Sequence, residues 1–332
     1  MNSSNAPSTC WQERPVADEA QRHARFASQF ADVQARKVRR HGAGRPPRGR
    51  QLAAAHGTLE VLDGLPVFAR HGLFQSPGVH EVWMRLSNGG LDNAPDATRF
   101  VRGLGMRVFG VHGASALGNE PASSQDFTLI NQEVFAFPGS AAFVDCIVAA
   151  SHGKRLLLSH LLSRYGLAAP RQLLRMLRAV GKAFGGFATD PLFSTLPIAN
   201  GPYATRVRLL PSSANGKPAP RRCKDWVADI SARLAQRPLH WDLQLQFYVD
   251  DNRTPIEDAS VNWSTPYTTV ARLMLPQQET DSGSGRALAR KMDATPFDPW
   301  HALAAHRPLG DVQRARKGVY FDGPGRGSAV GG

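Results

Sequence analysis

Cysteine is scarce in this chain and forms no pattern. Cys10, Cys146 and Cys223 are widely scattered. They match no metal-binding spacing and no even disulfide set, which suits a reducing compartment, and a cytoplasmic protein is expected. Long apolar runs are also missing: no stretch reaches the about 18 residues of a membrane-spanning helix. The opening MNSSNAPSTCWQERP lacks the basic region and apolar stretch of a secretory signal. Acidic residues are in deficit, 27 against 40 Lys and Arg, giving a net charge of +13. That sign suits nucleic acid or an anionic surface. The cations are spread out, however, with local density at 36–50 and 164–182, and no helix-turn-helix, zinc-finger or RNP-type motif accompanies them. Nucleic acid is therefore not an expected partner. A solvated basic surface, or arginines serving anionic groups of a ligand, accounts for the charge better. Internal repeats and strict strand–helix alternation are absent as well.

What is present is enough to build a core: 42% of the 332 residues are hydrophobic. Residues 1–16 read as a flexible tail, and 17–44 as a helical arm with a basic end. Short strand-like runs follow at 57–62, 80–86, 105–109, 127–130 and 134–137, separated by turn residues. Residues 141–184 carry apolar positions at i, i+3, i+4 spacing over two or three helices, broken near 166–170. Strands resume at 203–210, 241–249 and 268–275, with a helix at 219–237 between them. A Pro-punctuated stretch leads to a final helix at 312–322, and 327–332 read as a disordered tail. Strands interrupted by helices without βαβ alternation argue an α+β fold with an antiparallel sheet or barrel.

The most informative run is RARKGVYFDGPGR near the C-terminus. On a helix, Arg316 and Tyr320 lie four residues apart on one face. A free phenol, with a pKa of about 10, is a poor metal ligand at neutral pH. A neighbouring guanidinium favours the phenolate, a hard anionic donor and a recognised axial ligand of haem iron. The pair alone is also the pattern of an ordinary surface contact. Likewise Arg85 suits a strand-surface ion pair, Asn131 a strand-closing turn and Phe143 an ordinary core.

Together, four stretches resemble the haem catalase superfamily, in particular its short bacterial members. VWMRLSN (82–88) resembles the strand whose Arg meets a haem propionate and whose Ser lies near the distal side, which places those roles on Arg85 and Ser87. RGLGMRVF (102–109) follows as in the family. DFTLINQEVFAF (126–137), continued by Phe143, resembles the segment supplying the distal Asn and the phenylalanines at the porphyrin. Asn131, Phe135 and Phe143 then take those parts. FDP (297–299) and Arg316-x3-Tyr320 resemble the proximal segment and its axial Tyr. Residues 255–258 with Trp263 also look like the smaller members. The resemblance spans about 45–326 and implies one catalase-like antiparallel barrel with flanking and inserted helices. It further implies haem b (iron protoporphyrin IX) held by Tyr320, and an N-terminal arm of the kind that embraces a partner subunit in a homo-oligomer.

Two departures bear on the chemistry. In the usual pattern a distal His follows a propionate-binding Arg by three residues. In RPPRGR (45–50), Arg45 fits the propionate position, but the His position holds Arg48. A different gap placement brings His56 nearer instead. The family's functional Asn is the first of an adjacent pair; ungapped alignment puts Ile130 there, and a one-residue shift restores Asn131. Peroxide cleavage needs a group that accepts a proton and returns it. Neutral imidazole does this, whereas guanidinium has no acceptor lone pair. Arg48 can stabilise a developing anion or hold a carboxylate. Losing general acid–base help costs about 10²–10⁴-fold. The expectation is a haem enzyme acting on a peroxide or an organic, fatty-acid-type hydroperoxide, as a peroxidase, peroxygenase or rearranging enzyme rather than a fast catalase. A haem carrier or sensor without turnover is the alternative.

Overall fold

The computed structural model describes residues 6–41, 51–88, 101–118, 120–181, 184–219 and 225–321. The side chains of 34, 36–41, 51–52, 87–88, 179–181, 293 and 318–321 lie outside that description. Alternation of apolar and polar residues sets the strands. On β2 (Gly78–Asn88), Val82, Met84 and Leu86 are buried on one face, while Trp83 and Arg85 point to the other. β3 (Arg102–Gly113) repeats this with Leu104, Met106 and Val108. Register pairs like with like: Ala55 of β1 (Gln51–Val61) faces Met84, which faces Met106, which faces Phe127 of β4 (Ala122–Ile130).

The remaining strands are β5 (Leu192–Phe193), β6 (Ile198–Asn200), β7 (Tyr203–Pro211), β8 (Leu239–Phe247) and β9 (Tyr267–Leu275), and all pairings are antiparallel. β1 pairs with β9, and the two-residue β5 bridges β4 to β7, closing eight strands into a barrel with β6 added beside β7. Eight strands leave an interior that side chains fill. Leu209, Leu243, Leu245 and Leu273 complete that filling.

Helices clothe the barrel. α1 (Glu19–His41), α2 (Ser140–Ser151) and α7 (Asp311–Phe321) meet through Phe26, Val144 and Ala315. α3 (Lys154–Tyr165) and α4 (Ala169–Gly181) form a hairpin on α2, within the helical insertion expected at 141–184. α5 (Trp226–Gln236) joins the barrel core through Ile230 and Leu234. α6 (Gly283–Ala294) lays Met292 on Ala54 and Phe297 outside the barrel. The sequence pattern does not announce this last helix. Its glycine-rich start hides it, and the Ser282 hydroxyl, accepting from the Gly285 N–H at 3.1 Å, caps it.

Two expectations are corrected. Residues 6–16 are not a loose tail. The Trp11 indole N–H donates to Pro202 O at 2.8 Å, and the Ser8 N–H to Tyr248 O at 2.9 Å. Glu13 is bound by Arg307 and Arg314. Residues 134–137 are not a strand. Their backbone finds no ladder: the Phe135 N–H donates to Ala259 O at 3.2 Å and Ala136 O accepts from the Gln172 side chain at 3.2 Å, while their aromatic side chains pack on α2. The expected tail at 327–332 lies outside the described residues.

Candidate functional site

The site is built on the outer face of β1–β4 and on α7. The sheet register places Arg85 beside Gly105, and Ser87 beside Gly103 and Gln51, with Gly103 in turn beside Ile130. Gly105 is small for a reason: a Cβ there would stand 2.7 Å from Cγ of Phe297. The Phe297 ring thus lies directly on the sheet, with the Arg85 guanidinium 4.7 Å and that of Arg107 5.4 Å from its centre. Arg107 also grips the buried Asp126 with two bonds, at 2.6 and 2.7 Å. The Asp298 N–H donates to the same carboxylate at 3.0 Å. β3, β4 and the loop at 297–299 are locked together by that one group. Arg85 Nη1 also donates to the carbonyls of Met292 and Thr295, at 3.4 and 3.3 Å.

Asn131 follows β4 directly and is buried. Its N–H donates to Arg102 O at 3.1 Å, and its Oδ1 accepts from the Arg102 N–H at 2.9 Å. The side-chain oxygen thus takes part in closing the β3–β4 ladder, and Nδ2–H is the donor that Asn131 can offer. Beyond it, the Thr195 hydroxyl donates to Gln132 O at 2.5 Å. Thr195 has a φ of 62°, the left-handed region that threonine rarely adopts. It precedes Leu196, which packs with Phe135 and with Val312 of α7. Strain of this kind gathers where surroundings fix a site.

Phe135 and Phe143 are half-buried, with ring centres 5.2 Å apart; Phe137 and Phe30 stand 5.6 and 6.5 Å from Phe143. Together they form an aromatic wall between α1, α2 and the 135–137 segment.

α7 is held in place more firmly than any short motif suggests. Gly310, at φ 86°, lets the chain turn under Ile256 O into the helix. Asp311 then accepts from the Ser140 N–H at 2.6 Å, capping α2, and from Arg22 at 2.9 Å. Burial would push its pKa up, but bonding to His23 and Ser140 and the charge of Arg22 win, and it stays well below the usual carboxylate range. Arg314 donates to Glu13, Glu19 and Glu257. Two residues on, Arg316 donates to Gln313 Oε1 at 3.5 Å. Its charge also bears on Asp298, whose pKa is pushed up chiefly by burial against the opposing pull of the Trp300 N–H and Arg316. Tyr320 lies in the last turn of α7, four residues after Arg316 and eight after Val312, so its backbone continues the helix face that meets Phe135.

The structure brings Phe135 and Phe143 together and packs Val312 of α7 with Phe135, while Asn131 stands just after β4, four residues before Phe135. It does not bring His56 to them. That ring is exposed, and its backbone is clasped by the Gln278 side chain. His56 pairs with Trp83, four residues from Ser87, roughly 13 Å along the sheet at about 3.3 Å per residue. His56 thus stands apart from the row of Ser87 and Gly103. Arg45 and Arg48 lie outside the described residues, as do the side chains of Ser87 and Tyr320. Sequence reasoning missed Thr195, Asp311 and Arg314. Their partners come from distant segments, and none sits in a local pattern.

These residues are of the kinds that suit a flat apolar group with acidic arms. They offer aromatic faces in Phe135 and Phe143, a fork-shaped cation in Arg85, and an oxygen donor on α7 with a cation one turn before it. Two solved structures of similar fold are catalases. A bacterial catalase superposes with a TM-score of 0.61 at 15% identity, covering 96% of this chain and 62% of that one. A fungal catalase does so with a TM-score of 0.63 at 16% identity, covering 97% of this chain and 64% of that one. The fold is catalase-like. The chain spans under two thirds of the length of those two catalases. No family model and no curated protein matches the sequence. Among the described residues, no helix is long and apolar enough to cross a membrane.

Proposed function

We propose that this chain is a haem-dependent enzyme acting on a peroxide or an organic hydroperoxide, by peroxidase, peroxygenase or rearranging chemistry rather than as a fast catalase. The observation that carries the reading is the seating of α7, whose sequence sets Arg316 and Tyr320 one turn apart, against α1, α2 and Phe135 in a catalase-like fold. Haem b, when bound, supplies the redox-active iron at which an O–O bond is cleaved. Tyr320 would hold the iron through its phenol oxygen, with the Arg316 charge favouring the phenolate. Arg45 and Arg85 would pair with the propionates, and Ser87 would line the substrate side. Phe135 and Phe143 flank the ring and keep water out. Asn131 would offer its Nδ2–H to an oxygen of the substrate. Arg48 holds developing negative charge or a substrate carboxylate, and takes no proton.

A second reading, a haem carrier or sensor without turnover, draws on a specific observation. An amide such as Asn131 is no base, Arg48 has no acceptor lone pair, and His56 lies four residues along the sheet from the Ser87 row, so these residues offer no general base there. An optical spectrum of the purified protein tests both. A Soret band is expected, and Tyr320→Phe should abolish it. Wild-type protein expressed with ample haem yet spectrally empty would overturn both readings. With haem intact, turnover of an alkyl hydroperoxide with an electron donor separates enzyme from carrier.

A further inference from the structure

The α3–α4 hairpin carries a surface that the barrel does not use. Between Lys154 and Lys182 there is no Asp or Glu. The hairpin buries one side: Leu157 and Met176 pack with Cys146 and Phe137, and Leu161 is fully enclosed. Its other side is apolar as well. Leu156, Leu158, Leu162, Leu174 and Leu177 are 46% to 60% exposed, and Leu167, in the turn between the helices, is fully exposed. Six of the nine large apolar side chains most exposed among the described residues therefore sit on this one hairpin. Exposed leucines scattered singly are ordinary, but a cluster marks an interaction surface. Leu158 and Leu162, and Leu174 and Leu177, are spaced to share helix faces.

Cations rim the leucines: Lys154, Arg155, Arg164, Arg171, Arg175 and Arg178, all exposed. Arg164 reaches Asp145 at 3.9 Å across open surface, and Arg175 donates to Ser260 O at 3.4 Å. These contacts leave the rim strongly positive. A second copy of this chain would bring the same cations face to face, whereas an anionic surface complements them. Leucines with a basic border on short helices are the signature of elements that lie in a membrane interface.

We infer that the α3–α4 hairpin docks this protein on a lipid bilayer with anionic headgroups, with Leu167 and its neighbours entering the acyl boundary. Gln172 of α4 donates to Ala136 O at 3.2 Å, within the aromatic wall. The docked face therefore lies one helix layer from Phe137 and Phe143, about 10 Å. For the proposed site this means an apolar, membrane-borne hydroperoxide as substrate. That consequence rests on the haem reading, while docking itself does not.

Co-sedimentation of the full chain with sucrose-loaded vesicles provides the test. Vesicles of phosphatidylglycerol in phosphatidylcholine should carry the protein down, and phosphatidylcholine alone should not. Leu167→Ser with Leu177→Ser should lower the partition coefficient by about tenfold or more. Arg171→Gln with Arg178→Gln should lower it about 25-fold, near fivefold per cation. All four residues are exposed, so circular dichroism should be unchanged. Failure to sediment with anionic vesicles, or binding indifferent to both variant pairs, would overturn docking. So would a dimer, seen by sedimentation velocity without vesicles, that dissociates on Leu167→Ser. None of these readouts needs haem: a missing Soret band counts against the haem reading alone, and a missing vesicle pellet against docking alone.

Discussion

Arg314→Met tests whether α7 is positioned by charge. The Arg314 guanidinium donates to Glu19 at 2.6 and 3.0 Å, to Glu13 at 2.8 Å and to Glu257 at 2.9 and 3.1 Å. Its side chain is only 16% exposed. Methionine retains much of the volume and removes the charge, leaving three carboxylates to face one another. Breaking a buried pair in this way costs about 3–5 kcal/mol. Arg307 still neutralises Glu13, at 2.6 Å, so the lower end, about 3 kcal/mol, applies. The loss falls on the seating of α7, because the bonds of Arg314 run to Glu13, Glu19 and Glu257 rather than to the barrel strands. At about 1.4 kcal/mol per factor of ten, α7 amides should exchange with deuterium about a hundredfold faster. Mass spectrometry of a peptide covering Asp311–Phe321 measures this, with β8 peptides as the internal reference. Adding Glu13→Gln should recover part of the loss, since the two residues are in contact. An acceleration below about fivefold would place Arg314 among exposed ion pairs of about 1 kcal/mol and refute the reasoning. Equal acceleration in β8 would show global rather than local loosening.

Stability should also fall with acid in a defined window. His306 is fully buried, with Nε2 accepting from the Leu73 N–H at 2.9 Å, and burial pulls its pKa from 6.5 down to about 4. The folded state then resists a proton that the unfolded chain accepts, so this contribution is full above pH 6.5 and shrinks as pH falls towards 4. In Glu13, burial is outweighed by bonds from Gly310, Arg307 and Arg314, and its pKa is held low, which extends the decline into more acid solution. A urea midpoint that stays flat from pH 6.5 to 4 would contradict this. Gly105→Val should displace the Phe297 ring and cost about 1–3 kcal/mol, read as a lower melting temperature and partly relieved by Phe297→Leu; no change would mean that the ring does not rest on the strand. Asn131→Ala should cost about 1–3 kcal/mol by orphaning the buried Arg102 N–H, whereas Asn131→Asp keeps the acceptor and should cost less. Equal losses in the two variants would exclude that bond as the cause.

The strand positions followed from local chemistry. Val82, Met84 and Leu86 alternate with Trp83 and Arg85, and alternation of that kind settles which face enters a core. The helical character of the insertion, and the spacing that puts Arg316 and Tyr320 on one face of α7, are equally local. Where non-local partners decide, that legibility stops. The apolar run at 134–137 looks like a strand, but no neighbouring strand offers a ladder there. Barrel closure hangs on Leu192 and Phe193, too short a run to announce itself. The clamp on Arg314 gathers carboxylates from residues 13, 19 and 257, separated by most of the chain. Sequence proximity made His56 a candidate beside Arg48, and the pairing register carried it to another row of the sheet. Periodicity is written residue by residue, so the sequence by itself determined most of the elements and the spacing of Arg316 and Tyr320. Which outer face they cover, and what meets across it, depended on contacts between distant segments that only the folded chain brings together.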